Sequence, residues 1–140
     1  NRRVVTIIDT DVEGGSGAGM VAMVEVAALM IGDIVQAYSE TAYDSPEDIR
    51  RGRFLSKGQP KSLYRPGSST DILVFEEGRI DFSSDILANL RHPFASSRFA
   101  LGLGRQLVET EVRVREEIGR AVSKGSMGRK TNGAGVTGNV

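Results

Sequence analysis

Met20-Val21-Ala22-Met23-Val24-Glu25-Val26-Ala27-Ala28-Leu29-Met30-Ile31-Gly32-Asp33-Ile34-Val35-Gln36-Ala37-Tyr38 is the stretch on which the fold class turns. Its alanines and methionines favour a helix by propensity. The alternation Val24, Val26, Ala28, Met30, followed beyond Gly32 by Ile34-Val35, favours two strands around a glycine kink. The pattern by itself divides evenly between the two, so the neighbouring segments have to arbitrate.

Those neighbours are strand-like. Residues 4–9 are β-branched and read as a strand; Asp9-Thr10-Asp11 and Gly14-Gly15-Ser16-Gly17-Ala18-Gly19 follow as a loop or hairpin. Ser45-Pro46-Glu47-Asp48 has the form of an N-cap with proline at the first helical position, so a short helix or helical turn is expected over 45–51. Phe54-Leu55 resumes apolar structure, and Lys57-Gly58-Gln59-Pro60 and Pro66-Gly67 are turns flanking Leu63-Tyr64. Asp71 to Glu76, with Ile72, Leu73, Val74 and Phe75, reads as a buried strand, and Glu77-Gly78 as the turn of a hairpin into Arg79-Ile80-Asp81-Phe82. Residues 83–104 read as loop with a short helix at 84–90. Val108, Thr110, Val112 and Val114 alternate with charged residues as a half-exposed strand should. From Lys124 onward no hydrophobic pattern remains, and residues 123–140 are expected to be a disordered tail.

The bulk numbers mostly exclude. A chain of 140 residues is expected to form one domain with a real core. Eighteen basic residues balance eighteen acidic ones, so nothing points to a nucleic-acid partner or a strongly basic membrane face. With no cysteine there is no disulfide framework, thiolate nucleophile or cysteine zinc site, and His92 alone cannot make a histidine-rich metal site. The longest apolar stretch, Met20 to Tyr38, is interrupted by Glu25, Gly32, Asp33 and Gln36 and falls short of a bilayer span. The chain opens almost directly on a strand, without initiator Met or signal peptide, and reads as a piece of something longer.

Spacing alone promotes few residues to chemistry. After Gly15 and Gly17 a dinucleotide fingerprint needs a glycine where Met20 stands, and no Gly-Lys-Ser/Thr follows, so the glycine-rich stretch reads as a hairpin loop. Gly67-Ser68-Ser69-Thr70 as a bare string is a turn before a strand, and Thr70-Asp71 breaks the Gly-x-Ser-x-Gly of a hydrolase elbow. His92, in Arg91-His92-Pro93-Phe94, reads as a surface or local hydrogen-bonding residue. Asp9, Asp11, Glu13 and Asp33 read as solvated carboxylates or turn caps.

Three segments read together resemble the second half of a phosphatidylserine decarboxylase. Asn1-Arg2-Arg3-Val4-Val5 through Asp9-Thr10 is similar to the family's strand ending in a Phe/Asp-Thr corner. Val26-Ala27-Ala28-Leu29-Met30-Ile31-Gly32-Asp33-Ile34 resembles its V-G-A-x-x-V-G-S-I segment. Lys57-Gly58-Gln59, then Gly67-Ser68-Ser69-Thr70-Asp71-Ile72-Leu73-Val74-Phe75-Glu76, resembles its K-G-x-E-x-G-x-F-x-x-G-S-T run and the apolar strand after it. The resemblance covers about residues 1–82, with a weaker echo at 105–121, and it resolves residues 20–38 as strands.

What the resemblance implies is a mainly β fold, a barrel- or sandwich-like assembly of short antiparallel strands with little helix, over residues 1–122 as the C-terminal part of a catalytic domain. It implies self-cleavage before a serine: the hydroxyl attacks the preceding carbonyl to form an ester, and β-elimination leaves a dehydroalanine that hydrolyses to a pyruvoyl cofactor. Glycine before the serine least opposes the distorted turn this needs. The ketone takes up a substrate amine and draws off the electrons released as carbon dioxide leaves. The implied site residues are Gly67 as scissile partner, Ser68 or Ser69 as cofactor precursor, and Thr70 as hydrogen-bonding assistant. Anchoring on Gly67 selects Ser68, with one inserted residue; counting back from Phe75 selects Ser69, with Ser68 on the family's glycine. Ser68 is the first choice.

The family's aspartate and histidine that promote self-cleavage lie upstream of the matched region, and His92 is no substitute for that histidine. The polypeptide alone is therefore expected to be uncleaved and inactive without that upstream part, the β chain of the same proenzyme. The expected substrate is phosphatidylserine. A soluble aromatic amino acid is the alternative raised by the insertion at 41–53 and the longer segment 83–104, and a non-catalytic β carrier or binding module is the rival of another class. The expected location is cytoplasmic or peripheral to the inner face of a membrane.

Overall fold

The β-branched run at the start forms β1 (Arg3–Asp9), and the chain returns beside it as β2 (Met20–Ala27). Hydrogen bonds from Thr10 N to Gly19 O and from Ala27 N to Arg2 O, both 3.0 Å, bracket this antiparallel pair. The computed structural model describes residues 2–27, 32–43, 45–66, 69–90 and 110–122. Its further elements are β3 (Ile34–Gln36), β4 (Ser62–Tyr64), β5 (Ser69–Phe75), β6 (Ile80–Phe82), α1 (Ser84–Leu90) and β7 (Gly119–Ala121). The described fold is thus mainly β with one short helix. Within residues 20–38 the described strands are β2 and β3, not a helix, and Gly32 stands before β3; residues 28–31 lie outside the described residues.

The strands form a three-stranded sheet in the order β1-β2-β5 and two two-stranded sheets, β3-β4 and β6-β7. The chain divides into two compact units, one of residues 1–8 and 21–74, the other of residues 9–20 and 75–140.

In the first unit the buried apolar residues are Val21, Ala27, Ile34, Ala37 and Tyr38. Along β2 the buried positions are 21, 25 and 27, one face of the strand, and so the inward face carries a glutamate. Strand β3 pairs antiparallel with β4, Ile34 opposite Tyr64 and Gln36 opposite Ser62. Beyond β3 the ladder is continued by Ala37 N and Tyr38 N, which both donate to Lys61 O at 2.7 and 3.0 Å. Tyr38 reaches that shared acceptor with φ at 45°, the left-handed region that a bulky residue seldom enters.

Two expectations fail in this unit. The strand at 71–76 forms, but it is not buried among the described residues: Ile72, Leu73 and Val74 are 47%, 41% and 55% exposed. Val5 and Ile7 of β1 are likewise exposed, so each of these strands is apolar on faces that nothing described covers. The helix at 45–51 is absent. Glu47 N donates to Ala37 O at 2.8 Å, its carboxylate takes Glu40 N at 3.3 Å and pairs with Arg53 Nη2 at 2.5 Å, and Arg53 Nη1 reaches Asp48 O at 3.0 Å. These bonds hold the segment as an extended connection, and a helix this short gains too few internal hydrogen bonds to compete.

In the second unit the glycine-rich stretch closes on itself as a hairpin loop. Gly15 N donates to Val12 O and Gly17 N to Thr10 O, both at 2.9 Å, and Gly19 N reaches Asp11 Oδ1 at 3.2 Å. Asp11 also pairs with the buried Arg79, whose Nη2 donates to Gly17 O at 2.8 Å as well. Gly19 has φ 76°, the left-handed region that favours glycine, and a Cβ there would displace the Glu76 carboxylate from its place 2.2 Å away.

The turn at Glu77-Gly78 forms, with Arg79 N donating to Glu76 O at 3.2 Å, but it does not close a hairpin. β6 pairs instead with β7, Ile80 opposite Ala121 and Phe82 opposite Gly119, and the ladder runs on through Ser83 N to Ile118 O and Val122 N to Arg79 O, each 3.0 Å. Phe75 and Phe82 meet edge-to-face at 5.8 Å. Helix α1 stands where expected, and its first turn closes with Leu87 N donating to Ser83 O at 3.2 Å. The strand expected over 108–115 does not form in its described part, residues 110–115. Val114 is 93% exposed, Arg115 turns at φ 69°, and Arg113 N donates to the Glu116 carboxylate at 2.6 Å. Alternation makes a strand only beside a partner edge, and here the backbone bonds locally instead. Val108, His92 and the tail at 123–140 lie outside the described residues.

Candidate active site

The serine-bearing segment lies between β4, which ends at Tyr64, and β5, which begins at Ser69. Gly67 and Ser68 lie outside the described residues. Ser69 and Thr70 are the first two residues of β5, both exposed, with their hydroxyls at the open end of a strand. On the near side Arg65 N donates to Asp33 O at 2.9 Å. Across the segment the Tyr64 hydroxyl donates to Asp71 Oδ1, seven residues on. Burial first, then that hydrogen bond and the charges of Asp71 and Glu25, push the Tyr64 phenol well above its ordinary range, so it stays a protonated donor.

Behind β4 is a buried polar cluster. Glu25 on β2 is fully buried, and Lys61, just before β4, is 8% exposed. Lys61 Nζ donates to Glu25 Oε2 at 2.7 Å and to Gln36 Oε1 at 3.1 Å, and Gln36 Nε2 donates to Glu25 Oε2 at 2.9 Å. Ser62 Oγ donates to the other carboxylate oxygen. The ammonium also lies 5.3 Å from the centre of the Tyr38 ring, within cation–π range. Burial, the largest single influence, works to raise the Glu25 pKa. The hydrogen bonds from Lys61, Ser62 and Gln36 together outweigh it, holding the carboxyl below the usual carboxylate range. A charge that accepts three hydrogen bonds, from Lys61, Gln36 and Ser62, ties β2, β3 and β4 together.

Of the four carboxylates weighed from sequence, Asp9, Asp11 and Asp33 have local roles. Asp9 Oδ1 accepts Asp11 N at 2.9 Å, and Asp11 holds the glycine loop and Arg79. Asp33 caps Ile34 N at 2.9 Å and pairs with Arg2 on the surface, while Glu13 is exposed. Sequence reading missed Glu25 and Lys61. The signal was present, a lone glutamate at an inward position of an alternating strand, but it registered only as a break in an apolar run.

A mainly β unit that presents the hydroxyls of Ser69 and Thr70 at the exposed start of β5 agrees with the fold class that the resemblance implies. Residues 1–100 match the family model for phosphatidylserine decarboxylase, and the chain belongs to that family. It is 35% identical over 111 residues to a phosphatidylserine decarboxylase proenzyme of Chlamydia felis and 37% identical over 112 residues to that of Chlamydia caviae, covering 78% of this chain and 31% of each relative. It is 37% identical over 89 residues to phosphatidylserine decarboxylase proenzyme 2 of Oryza sativa, covering 64% of this chain and 12% of that protein. The chain thus spans about a third of the length of the Chlamydia relatives. No solved structure matches it. Membership in a family of carboxy-lyases leaves the carrier-module alternative without support.

Proposed function

We propose that the chain is the C-terminal catalytic portion, over residues 1–122, of a pyruvoyl-dependent decarboxylase that converts phosphatidylserine to phosphatidylethanolamine. The observation that carries this is the family match over residues 1–100, which includes the whole of Gly67-Ser68-Ser69-Thr70. The exposed Ser69 and Thr70 fit the group, because a new N-terminus formed there has open space in front of it.

In this reading the serine Oγ attacks the carbonyl carbon of the residue before it. The amide C–N bond breaks as the C–O ester bond forms, and the freed nitrogen takes up the hydroxyl proton. Loss of the α-proton then expels the upstream chain as a carboxylate, and one water replaces the nitrogen, released as ammonia. The ketone so made supplies an electron sink for decarboxylation. Ser68 is the proposed precursor and Ser69 the alternative; Thr70 hydrogen-bonds beside it.

The proenzyme relatives support an upstream β chain as partner. Val5, Ile7, Ile72, Leu73 and Val74 give such a partner apolar surface to cover. A phospholipid substrate brings the protein to the inner face of a membrane as a peripheral protein. The test is to express the chain with that upstream part and ask whether it splits into two chains, the shorter carrying a hydrazine-reactive N-terminal carbonyl. Activity on phosphatidylserine vesicles, against free tryptophan as the competing substrate, decides the substrate class. A proenzyme that stays intact and carries no carbonyl refutes the reading.

A further inference from the structure

We infer that the connection over residues 45–54 is a docking turn for an anionic lipid surface, through the guanidiniums of Arg50 and Arg51 and the apolar side chains of Ile49 and Phe54. The inference rests on the phospholipid substrate proposed above and deepens it, naming the part of the chain that meets the bilayer. The segment is a formed turn. Arg53 N donates to Arg50 O at 3.3 Å, and Gly52, third in the turn, has φ 74°, where a left-handed residue completes the bend. Glu47 N donates to Ala37 O at 2.8 Å and Arg53 Nη2 reaches the Glu47 carboxylate at 2.5 Å, so the turn is braced to the residue that follows β3.

Within residues 45–54 the acids Glu47 and Asp48 stand against Arg50, Arg51 and Arg53. Glu47 and Arg53 spend their charges on each other. Asp48 and Arg50 are 3.9 Å apart with side chains 91% and 82% exposed, a pair that water and salt screen and that leaves the guanidinium available. Arg51, second in the turn, is exposed and forms no ion pair among the described residues. Residues 46–48 and 50–53 line an open concavity of about 770 Å³, wide enough to admit a lipid phosphate. Ile49 and Phe54, immediately before and after the turn, are 56% and 60% exposed. Large apolar side chains next to arginines suit a lipid interface, where the former sink to the acyl boundary and guanidiniums bind phosphates. A nucleic acid would call for a stronger positive balance than three arginines against two acids.

The test is vesicle flotation of the complete protein, upstream part included, with vesicles of phosphatidylserine mixed into phosphatidylcholine and of phosphatidylcholine alone. Arg50→Gln/Arg51→Gln is expected to bind the mixed vesicles about thirtyfold more weakly, about fivefold for each arginine, and to bind the neutral ones as wild type does. Arg50→Lys/Arg51→Lys, which keeps the charge, should stay within about threefold of wild type. Ile49→Ser/Phe54→Ser is expected to lose about tenfold or more on both kinds of vesicle. Added salt should narrow the gap between wild type and the glutamine variant. All variants should keep wild-type self-cleavage and wild-type turnover of a short-chain, water-soluble phosphatidylserine, which a general loss of structure would not allow. Vesicle binding at the wild-type level in the glutamine and serine variants, or a wild type that binds no vesicles, overturns the docking turn and leaves the decarboxylase reading intact. So does separation of the upstream chain from these variants in size-exclusion chromatography, which would put the turn against protein. A wild type that is never cleaved but floats through these residues overturns the decarboxylase reading and leaves the docking turn standing.

Discussion

Replacing Lys61 by methionine tests the claim that Glu25 is buried as a charge and not as a neutral acid. Methionine refills the aliphatic stem, so the cavity left is small. The loss is then electrostatic: two hydrogen bonds from Nζ, at 2.7 Å to Glu25 and 3.1 Å to Gln36, and the contact with the Tyr38 ring. Removing one partner of a buried ion pair costs about 3–5 kcal/mol, because the remaining charge stays desolvated. With an m-value of about 2 kcal/mol/M, that is a fall of roughly 2 M in urea midpoint at pH 7.

The pH dependence separates this from simple loss of packing. In the wild type the Glu25 pKa is depressed, so its contribution is present above the unfolded value of 4.5 and is lost as pH falls through the lower folded value. In Lys61→Met burial dominates and the folded pKa moves above 4.5. The folded variant then binds the extra proton, and its deficit relative to wild type shrinks as pH falls from 7 towards 4. A Glu25→Leu/Lys61→Met double variant is expected to regain at least half of the loss, with Gln36 and Ser62 still short of a partner. Equilibrium urea denaturation at pH 7, 5.5 and 4 measures all of this. A Lys61→Met deficit below about 1 kcal/mol, or one that does not change with pH, would show that the charged cluster is not what holds β2 to β4.

Further substitutions probe other parts of the molecule. Gly19→Ala should lower stability by about 2 kcal/mol or more in thermal unfolding, since it combines a φ of 76° with a Cβ 2.2 Å from Glu76 Oε2. Gly119→Ala places a Cβ 2.6 Å from Asp81 O opposite Phe82, and hydrogen exchange of the β6–β7 amides should quicken while that of β2 is unchanged. Ser68→Ala and Ser69→Ala in the proenzyme should separate the two registers. The variant that loses its nucleophile stays a single chain, and the other is still cleaved, as seen by mass spectrometry of the products.

Much was legible along the chain wherever the signal is local. β1 follows from its β-branched run, α1 from its Ser-Asp start, and the loop before β2 from its glycines. The motif order that identified the family is equally a property of sequence, and it resolved residues 20–38 as strands where periodicity could not. Less legible was anything that depends on which strand edge or carbonyl lies nearby. The 45–51 segment has a good helix start, yet Ala37 and Arg53 bind it first. The alternation at 110–115 is a good strand pattern that joins no strand edge among the described residues, and the turn at Glu77-Gly78 leads to a strand that pairs with residues 119–121 and not with β5.

The sequence by itself determined the mainly β class, the family and the segment that carries the serines, because each is written in residues close together along the chain. Tertiary structure alone decided that Glu25 and Lys61 meet, that Tyr64 reaches Asp71, and that Val5, Ile7, Ile72, Leu73 and Val74 are exposed. The reason is physical. A charge becomes a buried partner, and a strand face a surface, only through contacts between residues distant in the chain, and their free energies exist only once the chain has folded.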